Sequence, residues 1–149
     1  MALGCSSNSV LHLLAIANEA GVDLDLNVFN EISAKVPNLC HLAPAGDTYI
    51  VDLQQAGGIP AVQAELSKKG LLNLNCMTVT GHTLGDNIAG AYNRNPEIIR
   101  PVETPYSETG GIAILMGQYC ERRLCCQTQM LWRKKCCVIQ VPARVFDDE

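Results

Sequence analysis

The chain has 149 residues, of which 48% are apolar, enough for a domain with a buried core. It has no apolar run of about eighteen residues and does not begin with the basic, apolar and small-residue order of a signal peptide. We therefore expect a cytoplasmic protein without a membrane partner. Residues 1–118 carry five Lys/Arg against eleven Asp/Glu, and this acidic balance argues against a nucleic-acid partner, for which a clustered basic face is expected.

The first segment joins a small polar loop, residues 4–8, to an apolar helix. Apolar residues recur over 10–17 at the spacing of a helix that is buried on most of its circumference. Gly21 stands where a left-handed C-terminal cap is expected. The helix N-terminus, with its N–H groups and positive dipole end, suits a carboxylate or phosphate, and a capped core helix without a ligand is the alternative. The candidate capping and ligand-binding residues are Ser6, Ser7 and Asn8.

A second amphipathic helix is predicted from about Leu26 to Lys35, and Pro37 ends it. The Cys40-His41 pair that follows is a weak candidate for a metal site. Adjacent ligands rarely serve one ion, and no partner pair follows at the spacing of a zinc finger.

A third helix is predicted over residues 49–56, with Asp47 or Thr48 as its cap and the double glycine at 57–58 as its end. Pro60 is expected to open a fourth helix at the first position, where proline is favoured.

The segment that follows contains short elements. Residues 76–81 form a β-prone run, and Thr83 opens a short helix that reaches Ala89. Ile98-Ile99 is predicted as a strand, and a further strand is predicted over 111–116.

Several of these motifs resemble the dihydroxy-acid dehydratases, the family that also includes the phosphogluconate and sugar-acid dehydratases. The resemblance covers residues 1–118 and 142–149, with Cys5 in place of a glycine, Ser7 in place of a threonine and Thr104 in place of an asparagine. The segments that carry it are GCSSNSVLHL at 4–13, DL followed by AGGIPAV at 52–62, TVTG at 78–81, RP to GGIAIL at 100–115, and PARVF at 142–146.

The resemblance implies an α/β fold. Residues 1–99 would form the mostly helical end of the family's N-terminal α/β domain. Residues 100–118 would begin the β-rich C-terminal domain with its first strand, and the Pro- and Gly-rich composition of 96–111 agrees with a boundary near residue 100. Residues 142–149 would be resumed family sequence.

The intervening segment, 119–141, is anomalous, because it holds five of the eight cysteines, five of the eleven basic residues and the only tryptophan. The resemblance to the family stops before this segment and resumes after it, and the segment is similar in length to the family sequence between the same motifs. We therefore interpret the segment as out-of-frame translation between two compensating frameshifts. We expect it to lack ordered structure. Its cysteines lack the Cys-x-x-Cys spacing of a zinc loop. A non-enzymatic, metal-binding or redox-sensitive protein built on these cysteines is the alternative.

By resemblance the parent enzyme is a hydro-lyase that converts 2,3-dihydroxy acids into 2-keto acids in branched-chain amino-acid synthesis. An iron–sulfur cluster would act as Lewis acid and a magnesium ion would hold the carboxylate side. The family's Gly-x-Cys-x-x-Met cluster motif and the Gly-Arg-Phe-Ser-Gly segment of its serine base are missing from this chain. We therefore predict no catalytic residue, no metal ligand and no bound cofactor here, and an inactive chain when it is alone.

The substrate of the parent enzyme would be a small dihydroxy acid, and its predicted contacts in this chain are the three residues at the helix N-terminus, Ser6, Ser7 and Asn8. The parent is expected to be a homodimer. A sugar-acid dehydratase of the phosphogluconate type is the alternative, although the blocks at 57–62 and 100–115 favour dihydroxy acids.

Overall fold

The computed structural model describes residues 1–117 and 120–127. Over these residues, helices are followed by a two-stranded antiparallel sheet. The mainly helical architecture that the sequence predicts is confirmed, with little strand. Among the described residues, no helix is both long and apolar enough to cross a lipid bilayer. The elements are α1 (Asn8–Glu19), α2 (Asn27–Lys35), α3 (Ile50–Gln55), α4 (Gly58–Ser67), α5 (Leu84–Ile88), β1 (Ile112–Gly117) and β2 (Cys120–Gln127).

Helix α1 ends in a left-handed turn at Gly21, whose φ is 67°, as the sequence predicts. The Val22 N–H donates to the Ala17 carbonyl at 2.8 Å, and the Gly21 N–H donates to the Asn18 carbonyl at 3.1 Å. These two bonds form a Schellman motif, which uses carbonyls that the helix end would otherwise leave without partners.

Helix α2 matches its predicted bounds closely and docks strand β1 by side-chain hydrogen bonds. The Asn30 amide donates to the Ile114 carbonyl at 2.9 Å and accepts from the Ile114 N–H at 2.8 Å. The Ser33 hydroxyl donates to the Ile112 carbonyl at 2.7 Å. These three bonds join residues about eighty positions apart in the chain.

Two groups of buried apolar side chains form the core. The central cluster lies between the N-terminal segment, α3, α4 and the residues near 99, and it consists of Ala2, Leu39, Cys40, Leu53, Ala56, Ala61, Val62, Leu66 and Ile99. The strand cluster lies between α1, α2 and β1, and it consists of Val10, Phe29, Ile112 and Ile114. Burial of each large member stabilises the fold by about 1.5–3 kcal/mol relative to exposure.

The starts of α3 and α4 differ from prediction. Tyr49, not Asp47 or Thr48, is the N-cap of α3, because the Asp52 carboxylate reaches back to accept from the Tyr49 N–H at 2.9 Å. Helix α4 begins at Gly58, so Pro60 is its third residue rather than its first. Proline is tolerated there because the first turn of a helix has no intrahelical acceptor for its N–H groups.

The predicted strand at Ile98-Ile99 is wrong, since both residues lie in a turn. The Asn95 carbonyl accepts from the N–H groups of Ile98 and Ile99 at 3.2 and 3.0 Å, and the Asn95 side chain accepts from the Glu97 N–H at 3.0 Å. Ile99 is fully buried in the central cluster. The apolar character of this pair therefore reflects the burial of Ile99 in the core and not a strand of a sheet.

The short elements near residue 80 are partly as predicted. Thr83 caps α5 as expected, with its hydroxyl accepting from the Asp86 N–H at 3.2 Å. Residues 76–81 form no strand but a turn, which an isolated antiparallel bridge between Met77 and Thr83 closes.

Strand β2 departs from the expectation that residues 119–141 lack order. It pairs antiparallel with β1, and Ile114 lies opposite Cys125. The rest of that expectation, at residue 119 and over 128–141, lies outside the described residues, as does the resumed segment 142–149.

We expect Asn30→Ala to lower the free energy of unfolding by about 2–4 kcal/mol, because it removes two hydrogen bonds and leaves both backbone groups of Ile114 without their partner. Asn27→Ala, on the exposed start of the same helix, is the matched control and should change it by less than about 0.5 kcal/mol. Urea titration monitored by circular dichroism measures both. Equal stability of the two variants would contradict the docking role of Asn30.

Candidate substrate-binding loop

The loop before α1 is held from both sides by backbone hydrogen bonds. The Ala2 carbonyl accepts from the N–H groups of Leu39 and Cys40 at 2.8 and 3.2 Å, and the Met1 carbonyl accepts from Gly111 at 3.2 Å. Gly4 is buried and has a φ of 62°. A residue with a β-carbon is strained in this left-handed region, so the turn is placed at the glycine rather than at Cys5.

The predicted site residues lie together at the α1 N-terminus. Ser6 and Asn8 are exposed and Ser7 is half-buried. Ser7 is the N-cap, but its side chain makes no capping bond. Instead the Ser6 hydroxyl accepts from the Asn8 N–H at 3.3 Å, and the Ser6 carbonyl accepts from the Ser9 N–H and hydroxyl at 3.0 and 2.7 Å. Ser6 therefore organises the turn.

This local bonding changes which groups could meet a ligand. The N–H groups of Asn8, Ser9 and Val10 already donate to Ser6 or Ser7. The long 3.3 Å bond from Asn8 is the weakest of these and could be exchanged for a ligand oxygen at little cost. The exposed hydroxyl and amide side chains, more than a set of free N–H groups, are thus the chemistry that this loop offers.

Two cysteines lie at this loop, Cys5 within it and Cys40 on the segment that bonds the Ala2 carbonyl, and their environments differ. Cys5 is exposed and Cys40 is fully buried in the central cluster. Burial, with a smaller contribution from charge on Cys5, raises the pKa of Cys40 to about 12. Burial also lowers the pKa of the Met1 amino group, and charge on Cys5 opposes that shift. The Cys40 thiol is therefore protonated at neutral pH.

The residues do not fit an iron–sulfur cluster or a magnesium ion. Cluster ligands are thiolates, whereas Cys40 is a buried thiol with a raised pKa and Cys76 lies in the turn before α5. Within the described part of the chain, no three His, Cys, Asp or Glu side chains are grouped so as to hold a metal ion. We therefore derive no catalytic step through either group from these residues.

The Cys40-His41 pair is divided between two environments, which argues against a shared metal. Cys40 faces the core, whereas the His41 ring stacks on Tyr106 with centroids 3.8 Å apart and an interplanar angle of 15°. The Arg100 guanidinium lies 5.0 Å from the centroid of the same Tyr106 ring. Local sequence patterns give no signal of this stack, because His41 and Tyr106 lie about sixty residues apart.

Asn38 is a second feature that sequence reasoning missed. Its side-chain oxygen and nitrogen are buried, and neither has a hydrogen-bond partner among the described residues. Its backbone pairs with Ser107 and Tyr106 at 2.9 and 3.0 Å, which fixes the residue in the interior. Each buried polar atom without a partner costs about 1–3 kcal/mol. An asparagine after a proline is typical of a surface loop, so the pattern gave no signal of burial.

An exposed hydrogen-bond network braces the turn before α5. The Asn87 amide donates to the Thr78 hydroxyl at 2.7 Å, and the Thr80 hydroxyl donates to the Asn87 carbonyl oxygen at 3.0 Å. These residues lie on the part of the chain with the family-like TVTG run. The network gives this turn a defined conformation.

Comparison with known proteins identifies the family. The model for the N-terminal part of the dihydroxy-acid/6-phosphogluconate dehydratases matches residues 1–87, more than half of the chain. The chain belongs to this family. The dihydroxy-acid dehydratases of Clostridium beijerinckii and Lachnoclostridium phytofermentans are both 56% identical to it, and that of Carboxydothermus hydrogenoformans is 54% identical. Each alignment covers the whole chain but only 27% of the relative.

The residues that the family model matches, 1–87, include the whole candidate loop, α1 and the turn before α5. The chain spans about a quarter of the length of these relatives. Most of the length of these dehydratases therefore has no counterpart in this chain. The resemblance that the sequence motifs suggested is confirmed.

The raised pKa of Cys40 predicts a pH dependence of stability. Between pH 9 and about 12 the unfolded thiol loses its proton while the folded thiol keeps it. The free energy of unfolding should therefore fall more steeply with pH in this range in the wild type than in Cys40→Ala.

Urea titrations at pH 8 and pH 10.5 measure this difference. Cys76→Ala, which removes an exposed thiol, is the control for the loss of a cysteine side chain. If the Cys40→Ala and wild-type profiles run parallel, the Cys40 thiol is not protonated by burial as described.

Proposed function

We propose that this chain is a segment of a dihydroxy-acid dehydratase, a hydro-lyase that removes water from a 2,3-dihydroxy acid to give a 2-keto acid in branched-chain amino-acid synthesis. The observation that carries the proposal is the identity of 54–56% to enzymes of that name over the full length of the chain. The chain by itself lacks the family's cluster motif and serine-base motif, so it is inactive alone. The parent acts as a homodimer in the cytoplasm.

In this proposal residues 1–99 end the α/β domain and residues 100–118 begin the β-rich domain. The family match over 1–87 supports the first assignment. The β1–β2 pairing supports the second, because strand first occurs after residue 111 in the described part of the chain. The contact of α2 with β1 would then be an interdomain contact in the parent enzyme.

The role that we propose for the loop is to bind and orient substrate. The Ser6 and Ser7 hydroxyls and the Asn8 amide would hydrogen-bond the carboxylate or hydroxyl oxygens of a dihydroxy acid. The positive end of α1, a helix of twelve residues, adds a favourable interaction with a carboxylate. Proton abstraction and activation of the leaving hydroxyl belong to residues and cofactors in the rest of the parent.

The frame-shift interpretation of 119–141 remains part of the proposal. The alignment with the Clostridium beijerinckii enzyme runs through this segment without changing the 149-residue length. This supports a segment that takes the place of family sequence rather than an added module. Its cysteines would then have no designed ligand.

A chimera tests the proposed function. Residues 1–117 replace the aligned segment of the Clostridium beijerinckii dehydratase, and dehydration of a 2,3-dihydroxy acid is followed by formation of the 2-keto acid. We expect kcat/KM within about tenfold of the parent, because the grafted residues keep its packing. A folded chimera with the parent's visible cluster absorbance but no activity would contradict the assignment.

Within an active chimera, the triple variant Ser6→Ala, Ser7→Ala and Asn8→Ala tests the loop. Loss of three substrate hydrogen bonds, each worth about 0.5–1.5 kcal/mol, should lower kcat/KM by about 10- to 2000-fold. Asn27→Ala, which removes an exposed amide at the start of α2, is the matched control and should have no effect. An unchanged kcat/KM in the triple variant would remove these residues from the site.

A further inference from the structure

The candidate loop is attached to a short segment in the first half of the chain, residues 38–41. The Ala2 carbonyl accepts from the N–H groups of Leu39 and Cys40 at 2.8 and 3.2 Å. Both of these residues are fully buried. Because Ala2 leads directly into the loop, the position of the loop depends on what fixes this segment.

The chain around Tyr106 is bonded to the same segment through the backbone. The Asn38 N–H donates to the Ser107 carbonyl at 2.9 Å, and the Asn38 carbonyl accepts from the Tyr106 N–H at 3.0 Å. The Leu39 carbonyl accepts from the Arg100 N–H at 2.9 Å. The buried side-chain atoms of Asn38 have no partner among the described residues, so the main chain of this residue, and not its amide group, forms the bridge.

The Tyr106 side chain adds a second contact to this segment. Its ring lies face to face with the His41 ring, with centroids 3.8 Å apart and an angle of 15° between the planes. The Tyr106 hydroxyl donates to the Glu97 carbonyl at 3.0 Å, and the Arg100 guanidinium lies 5.0 Å from the ring centroid. Both contacts depend on the orientation of the ring and therefore restrict it. The ring is thus a fixed surface against which His41 packs.

We propose that Tyr106 is a positioning residue for the candidate substrate-binding loop. This rests on the proposed function of that loop. Tyr106 acts through His41 and the main chain of residues 38–41, which hold Ala2 and hence the start of α1. In the proposed domain division Tyr106 belongs to the β-rich part and the loop to the α/β part, so the stack transmits the position of one part to the substrate contacts of the other.

Hydrogen exchange of the Leu39 and Cys40 amides in the free chain tests the first step, because both donate to the Ala2 carbonyl. Tyr106→Leu removes the stack and keeps an apolar side chain. Both amides should then exchange about 2- to 12-fold faster, the factor that corresponds to the loss of one aromatic pair. Tyr106→Phe keeps the ring and should restore the wild-type rates.

Tyr92→Leu is the matched control, because it removes a second tyrosine ring that lies against an arginine, with the Arg94 guanidinium 5.3 Å from its centroid. It should leave the Leu39 and Cys40 amides unchanged. His41→Leu removes the other half of the stack and should reproduce Tyr106→Leu, and the double variant should exchange no faster than either single one.

Wild-type exchange of both amides in Tyr106→Leu would overturn the proposal. Equal acceleration of the amides of α4 would also overturn it, because the stack would then contribute only to global stability. If Tyr106→Leu does not fold, His41→Leu, at a half-buried position, decides between the same outcomes.

The chimera with the Clostridium beijerinckii dehydratase tests the second step. Tyr106→Leu should raise KM at least about threefold with kcat unchanged, because a displaced loop weakens contacts that bind substrate and transition state alike. Tyr106→Phe should restore KM. An unchanged KM together with faster exchange would overturn the positioning role. A chimera that is inactive before any substitution would contradict the proposed function, and the exchange rates would still decide whether Tyr106 holds the loop.

Discussion

The fold depends on the pair of hydrogen bonds between the Asn30 side chain and the backbone of Ile114. A strand residue directs its N–H and its carbonyl to the same edge, and Asn30 satisfies both at 2.8 and 2.9 Å. Ser33 bonds the Ile112 carbonyl on that edge. Helix α2 therefore acts as the neighbouring strand would, and β1 has a partner on each side.

This contact also fixes the start of the chain. The Ser33 carbonyl accepts from the Gly110 N–H at 2.7 Å, and the next residue, Gly111, donates to the Met1 carbonyl at 3.2 Å. A β-carbon on Gly110 would lie 2.8 Å from the Ser33 hydroxyl oxygen, so glycine permits this close approach. The position of the loop before α1, and of Ser6, Ser7 and Asn8, thus follows from the junction between α2 and β1.

Sequence periodicity predicted the elements whose hydrogen bonds are local. The bounds of α2, the Gly21 cap and the Thr83 cap follow from residues within one or two helical turns. It misplaced the starts of α3 and α4 by one or two residues, and it failed where burial or a distant partner decided the conformation. Ile98-Ile99 has β-branched side chains but turns inward to bury Ile99, and no local pattern marks Asn30 as the partner of a strand 84 residues later.

The candidate site was predicted in the same uneven way. The sequence identified the polar loop and its helix, but not that Ser6 rather than Ser7 would hold the first turn. The apolar residues of α1 could be recognised in the sequence. The exposure of Leu11 and Ile16 could not be predicted from it. Periodicity measures what a helix can bury, whereas the amount that it does bury depends on the polypeptide around it.

Helix α2 holds its own edge of β1 independently of β2, the strand on the opposite edge. Hydrogen exchange of the Ile114 amide in a chain truncated after Gly117, which lacks β2, tests this most directly. We expect the amide to keep its protection on truncation, because its acceptor is the Asn30 side chain. Loss of that protection, with exchange at the rate of an unfolded peptide, would show that the strand depends on β2 and would contradict the account.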